Sequence, residues 1–180
     1  TVNDEEVITE MRIPDTEKNI IILKTNPFFS ESGGQISDTG YIETGTGEKI
    51  NIIDSKKNFL ITDKNFVSDI NVSNVKAYIN KERRSSIERN HSATHLLHEA
   101  LRRIFGDHIK QHGSLVSDEY LRFDFPHFHK VTDDQIREIE ELVNLKIQES
   151  IQVNTEVDIS IEEANKIPNV KKLFGEKYGD

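Results

Sequence analysis

Near Lys81 the spacing of apolar residues changes from two to about 3.6, and a chain with that change is neither all strand nor all helix. On the N-terminal side NIIILK (19–24), QISDTGYIE (35–43), KINIID (49–54), NFLIT (58–62) and VKAYI (75–79) are short and rich in Ile, Val, Phe and Tyr. Turn signals separate them: Asn26-Pro27, Gly33-Gly34, Gly45-Thr46-Gly47 and a polar stretch from Asp63 to Asn74. Short strands at such close spacing predict a small β-barrel-like unit. On the C-terminal side Ile87, Ala93, Leu97, Ala100, Leu101 and Ile104 recur at helical spacing from Glu82 to Phe105, and Gly106 stops the helix. SLVSDEYLRFDF (114–125) predicts a hairpin turning near Ser117-Asp118. Thr132 and Gln135 form a capping box that opens a helix through Ile151. VNTEVDISI (153–161) predicts a strand, and Ile161 to Asn165 a short helix limited by Pro168. The fold class is therefore α+β, with residues 1–80 as a β-barrel-like subdomain and 81–180 as an α+β subdomain built around one long helix.

Composition removes several classes of protein. No stretch approaches the roughly 18 apolar residues of a membrane helix, and the opening TVNDEEV has neither the basic start nor the apolar core of a signal peptide. It also lacks an initiator Met, which predicts a piece of a longer chain. With no Cys among the 180 residues, a disulfide scaffold, an Fe–S site and a thiolate zinc site within them are excluded, and a cytoplasmic origin fits. The net charge is −9, unevenly placed: residues 81–110 hold seven cations against four anions, so the other 150 residues carry −12. Such a run is most simply a solvated helix face, but on an acidic chain it can also steer a phosphate backbone to one spot.

His91 and His95 stand at i and i+4, about one helical turn apart on one face, a spacing that suits two nitrogen ligands on one tetrahedral metal. His98 adds a third imidazole near that face, although three histidines there can equally be core-edge residues. A metalloprotease is ruled out because Ser92, not Glu, follows the first His. Thr94 offers a hydroxyl beside the pair, or simply bonds back to a helical carbonyl. Ser32-Gly33-Gly34-Gln35 lacks the ending of a P-loop and the spacing of a dinucleotide fingerprint; its glycines suit a tight turn or a close approach to a ligand. Gln111, between His108 and His112 after the long helix, can aim an amide at the same place or remain solvated.

Joined in order, these pieces carry a resemblance. NPFFSESGGQ (26–35) followed by Asp38-Thr39-Gly40 resembles the N-terminal signature of the editing domains of the alanyl-tRNA synthetase family, and HSATHLLHEALRRIFGDHIKQHGSLVSDEYLRFDFPHF (91–128) resembles its central motif almost position for position. LFGEKYGD (173–180) looks like the segment that leads towards a Cys-Gly-Gly-Thr-His motif in the bacterial enzymes. Lys171 and Lys172 replace the small apolar residues more usual before it, and His112 departs from the pattern; a solvated side chain is the simpler account of His112 than a substitute ligand.

The resemblance implies a domain that hydrolyses tRNA(Ala) wrongly loaded with serine or glycine, a task that exists because a pocket for alanine cannot strongly reject an amino acid differing by one small group. It implies Zn2+ held by His91 and His95 with a Cys and a His from the later motif, so these residues would supply two of four ligands and the isolated fragment would be inactive or nearly so. It further implies that Thr94 is the pocket hydroxyl that recognises misattached serine, that Gln111 is an amide needed for editing, and that Ser32, Gly33, Gly34 and Gln35 close over the terminal adenosine. Arg83, Arg84, Arg102 and Arg103 are expected on the phosphates of the tRNA(Ala) acceptor end. ATP and Mg2+ would belong only to the absent aminoacylation domain, and any oligomer to regions outside these residues. Two other readings stand beside this one, a free-standing trans-editing protein and a non-catalytic tRNA-binding module.

Overall fold

The computed structural model describes residues 7–13, 19–66, 70–154 and 159–167. Strands β1 (Val7–Ile13), β2 (Ile20–Leu23), β3 (Gly40–Glu43), β4 (Lys49–Lys56), β5 (Phe59–Thr62) and β6 (Ile70–Ile79) close into a barrel in the order β1-β2-β5-β4-β3-β6, every pair antiparallel. Alternation dictates the packing. Ile50 and Ile52 of β4 point inward beside exposed Lys49, Asn51 and Ile53, and they meet Ile21, Ile42, Leu60 and Val75 in a core with almost no solvent contact.

The barrel was expected, but two of its parts were not. The alternation in VITEMRI (7–13) buries Thr9, Met11 and Ile13, and β1 supplies the strand that lets β6 close on β2. β6 also begins at Ile70, inside the stretch read as a polar connection. It tolerates those polar residues through a register shift against β1 between Thr9 and Met11, and Asn74 sits close to it at φ 58, a conformation short polar side chains accept.

The chain turns from strand to helix at Asn80, whose side chain accepts the backbone N–H of Arg83 at 3.1 Å and caps α1 (Lys81–Phe105). Gly106, at φ 103, ends the helix where glycine was expected to stop it. The hairpin follows as β7 (Gly113–Val116) and β8 (Leu121–Asp124), antiparallel with Ser114 opposite Phe123. Thr132 and Gln135 exchange the two hydrogen bonds of a capping box at the start of α2 (Asp133–Gln148). Ala100, Leu101, Ile109 and Ile139 form a second core, with Phe105, Phe123, Phe125 and Leu142 against it.

The segment after α2 departs from expectation. The helix stops at Gln148 rather than running to Ile151; Ile147 and Ile151 are exposed, so no buried face rewards another turn, and Ser150 adopts φ 48. Residues 153, 154, 159 and 160 form no strand, and the four between them lie outside the described residues. Ser160 instead caps α3 (Ile161–Ala164) through a capping box with Glu163. Pro168, Lys171, Lys172 and LFGEKYGD (173–180) also lie outside the described residues. The chain divides into two compact units, Thr1–Leu145 and Lys146–Asp180; the barrel, α1 and the β7–β8 hairpin all belong to the first.

Candidate functional site

On α1 the residues Arg84, Glu88, His91 and His95 share one stripe, and the loop between β2 and β3 lies over its first half. Phe28, 4% exposed, anchors that loop in the barrel core. Asp38, buried, accepts the Phe29 N–H at 2.6 Å and the Arg84 Nε at 3.1 Å, while Arg84 Nη2 also reaches Asp38 Oδ2 and the Pro27 carbonyl. Arg83 donates to the Ser37 carbonyl at 2.7 Å and lies 3.3 Å from Asp118. The first turn of α1 is thereby fastened to the loop. An open hollow of 250 Å³ between them is bounded by Phe28, Phe29, Gln35, Arg84 and Glu88.

The Gly-rich turn then reaches the histidine pair. Ser32 and Gln35 exchange backbone hydrogen bonds of 3.1 and 3.0 Å across the two glycines, both at positive φ. Val116 N–H donates to Gly34 at 2.7 Å and Ile36 N–H to Val116 at 3.1 Å, which adds the turn to the edge of β7. Gly34 must be glycine: a Cβ there would sit 2.3 Å from Ser114 Oγ and 2.6 Å from the Ser114 carbonyl. Gln111 Nε2 donates to Ser114 Oγ at 2.9 Å, so the amide that follows α1 reaches the strand on which the turn rests.

Gln35 Oε1 lies 2.6 Å from His91 Nδ1. With a carbonyl oxygen as partner, Nδ1 carries the proton and Nε2 keeps its lone pair. The His91 and His95 rings stack with centroids 5.1 Å apart and planes 22° apart. Burial, and then the neighbouring His95, lower the His91 pKa below its ordinary value and favour the neutral ring. Neutral imidazole oriented by a second hydrogen bond is the form that ligates metals, so this pair fits two positions of a tetrahedral Zn2+ site. Among the described residues no group of three His, Cys, Asp or Glu side chains could hold a metal, so the fit stops at two. His98 is not a third: it is buried, packs on Phe123 at 4.9 Å, and places Nε2 3.5 Å from the Ile109 carbonyl. His112 is exposed.

Thr94 is 5% exposed and its hydroxyl donates to the Asn90 carbonyl at 2.8 Å, the ordinary bond of a helical Thr. Its proton is thus committed, and the oxygen is left as an acceptor. The four arginines do not gather. Arg84 and Arg102 are about 27 Å apart along the helix at 1.5 Å per residue, and each of the four has a carboxylate: Asp118 for Arg83, Asp38 for Arg84, Asp107 for Arg102 and Glu99 for Arg103. Sequence reasoning missed Ser114, the residue on which loop and amide meet. Its only signal was a small polar side chain in a strand register opposite Phe123.

No protein-family model matches the chain. Curated proteins do. It is 43% identical over 187 residues to the alanine--tRNA ligase of Acetivibrio thermocellus, with 99% of this chain and 20% of that protein covered. It is 44% identical over 162 residues to that of Bacteroides fragilis and 45% identical over 163 residues to that of Cytophaga hutchinsonii, each with 89% of this chain and 18% of the relative covered. The chain thus spans a fifth or less of the length of these relatives. Among the described residues no helix is long and apolar enough to cross a membrane.

Proposed function

The chain belongs to the alanine--tRNA ligase family, and we propose that it is the part of such an enzyme that hydrolyses tRNA(Ala) misloaded with serine or glycine. The observation that carries this reading is the meeting of two sequence motifs far apart in the chain: the Gly-rich turn hydrogen-bonds through Gln35 to His91, and its Gly34 rests on Ser114, which Gln111 also holds. His91 and His95 would hold Zn2+, with the remaining ligands from outside these residues. Bound there, the metal would act as a Lewis acid on the ester or on the water that attacks it.

The chain's own residues supply recognition. Because the Thr94 proton lies on the Asn90 carbonyl, Oγ1 can accept the hydroxyl proton of a misattached serine. Alanine has no such proton, and its ester would leave that acceptor unused. Gly33 and Gly34 bring backbone close over the substrate, and Gln35 keeps His91 in the tautomer that presents Nε2. Arg103, the most exposed of the four arginines, exchanges Glu99 for phosphate at least cost, whereas Arg84 is committed to Asp38. Alanine activation with ATP and Mg2+ belongs to the rest of the parent enzyme.

The test uses the parent enzyme with Thr94→Val, which keeps the shape and removes the acceptor. Hydrolysis of seryl-tRNA(Ala) should fall about three- to tenfold, the worth of one hydrogen bond, while glycyl-tRNA(Ala), which has no hydroxyl, is hydrolysed as before. Equal loss on both esters would reject Thr94 as the serine reader, and no hydrolysis of either by the unaltered enzyme would reject the function.

A further inference from the structure

A stack of rings leaves the second core and ends in solvent. Phe105 packs on His127 with centroids 4.3 Å apart, His127 on His108 at 5.6 Å and 14°, and His108 on Phe128 at 5.4 Å. His108 Nε2 lies 3.4 Å from His127 Nδ1, so the loop that follows α1 and the segment that follows β8 meet at this contact. Phe128, the outermost ring, is 81% exposed.

An exposed ring alone means little, since apolar atoms make up much of any surface. The sequence that carries these rings is unusual for an acidic chain. Residues 108–112 and 127–130 contain four of the seven histidines, together with Lys110 and Lys130, and no carboxylate, although the net charge is −9. Both lysines are exposed. An outermost π-face with lysines in the segments that carry it matches an unpaired nucleic-acid strand, whose bases stack on aromatic rings while lysines meet its phosphates. The loop that carries His108 also carries Gln111, held to Ser114 at the site described above.

We propose that Phe128, backed by His108, forms a stacking platform for unpaired RNA bases, with Lys110 and Lys130 on the adjoining phosphates. That the strand is the single-stranded end of a charged tRNA rests on the function proposed above. The platform itself rests on the ring stack and the charge around it.

Fluorescence anisotropy of the 180-residue chain with a short labelled single-stranded RNA, and with a blunt hairpin of the same length, tests this. Phe128→Ala should weaken single-strand binding about tenfold, the size of one lost base–aromatic stack, and leave the weaker hairpin binding unchanged. Phe128→Trp should bind at least as tightly as the unaltered chain. Lys110→Gln with Lys130→Gln should reduce the salt slope by about 1.4, two phosphates on a single strand. Phe128 is exposed enough that neither ring variant threatens the fold, and far-UV circular dichroism verifies that. Binding by the Ala variant within about twofold of the unaltered chain, or equal binding by the Ala and Trp variants, would overturn the platform and leave the ring to a protein contact. The two proposals fail separately: loss of the Phe128 effect leaves Thr94-dependent hydrolysis standing, and loss of hydrolysis leaves Phe128-dependent strand binding standing.

Discussion

Arg84 and Arg103 share a helix and a charge, yet they occupy opposite ends of the energetic scale. Arg84 grips a carboxylate whose side chain is 3% exposed, and Asp38 in turn holds the Phe29 N–H. Arg84→Ala would strand that carboxylate in the interior, and thermal or urea unfolding should show a loss of about 3 kcal/mol. Arg103→Ala removes an exposed i,i+4 pair with Glu99 and should change stability by less than about 1 kcal/mol. In the sequence the two residues are equivalent members of one basic run; only the fold of the 26–38 loop, a non-local feature, tells them apart. His91 separates in a similar way. Its folded pKa lies below the unfolded value of about 6.5, because burial and then His95 disfavour the imidazolium. The unfolded chain therefore takes up the proton first as pH drops. His91's contribution is complete above about pH 6.5 and is lost as pH falls towards its folded pKa, so His91→Gln should flatten the stability profile just below about pH 6.5. An identical slope in the variant would mean that His91 titrates as it does in the unfolded chain.

The Gly-rich turn shows why an element must be read in its setting. Gly33 and Gly34 both have positive φ, but an added methyl at Gly33 meets open space while one at Gly34 meets the backbone and hydroxyl of Ser114. Gly33→Ala should cost about 1 kcal/mol, the strain of a left-handed residue. Gly34→Ala should cost more and lift the turn off β7, seen as faster amide exchange at Ile36 and Val116, whose N–H groups make the docking bonds. The sequence makes a turn here legible, because two glycines between apolar runs have few other uses. It conceals the partner, because Ser114 lies 80 residues away. The same limit governs the elements. Helix α1, the hairpin and most strands follow from period and caps, which are local. β1 has the alternation, but its pairing with β6 depends on a register shift that no local signal announces. The alternation in VNTEVDISI has no sheet to join among the described residues, and pattern without a partner does not make a strand.

For the molecule as a whole, the sequence made the candidate residues legible and their arrangement only in part. His91, His95, Thr94 and the turn stood out by residue type and spacing; the Gln35–His91 bond, the inward turn of His98 onto Phe123 and the dispersal of the four arginines required the fold. We propose that this segment, about a fifth of its relatives' length, brings half of a metal site and the residues that read the misloaded amino acid. A longer protein that continues past Asp180 through the expected Cys-x-x-x-His tests it most directly, with zinc content and seryl-tRNA(Ala) hydrolysis measured on the same preparation. One tightly held zinc and hydrolysis are expected in the longer protein, loss of both in its His95→Ala variant, and neither in the 180-residue chain. Tight stoichiometric zinc or full hydrolysis from the 180 residues alone, or hydrolysis that survives His95→Ala, would contradict it.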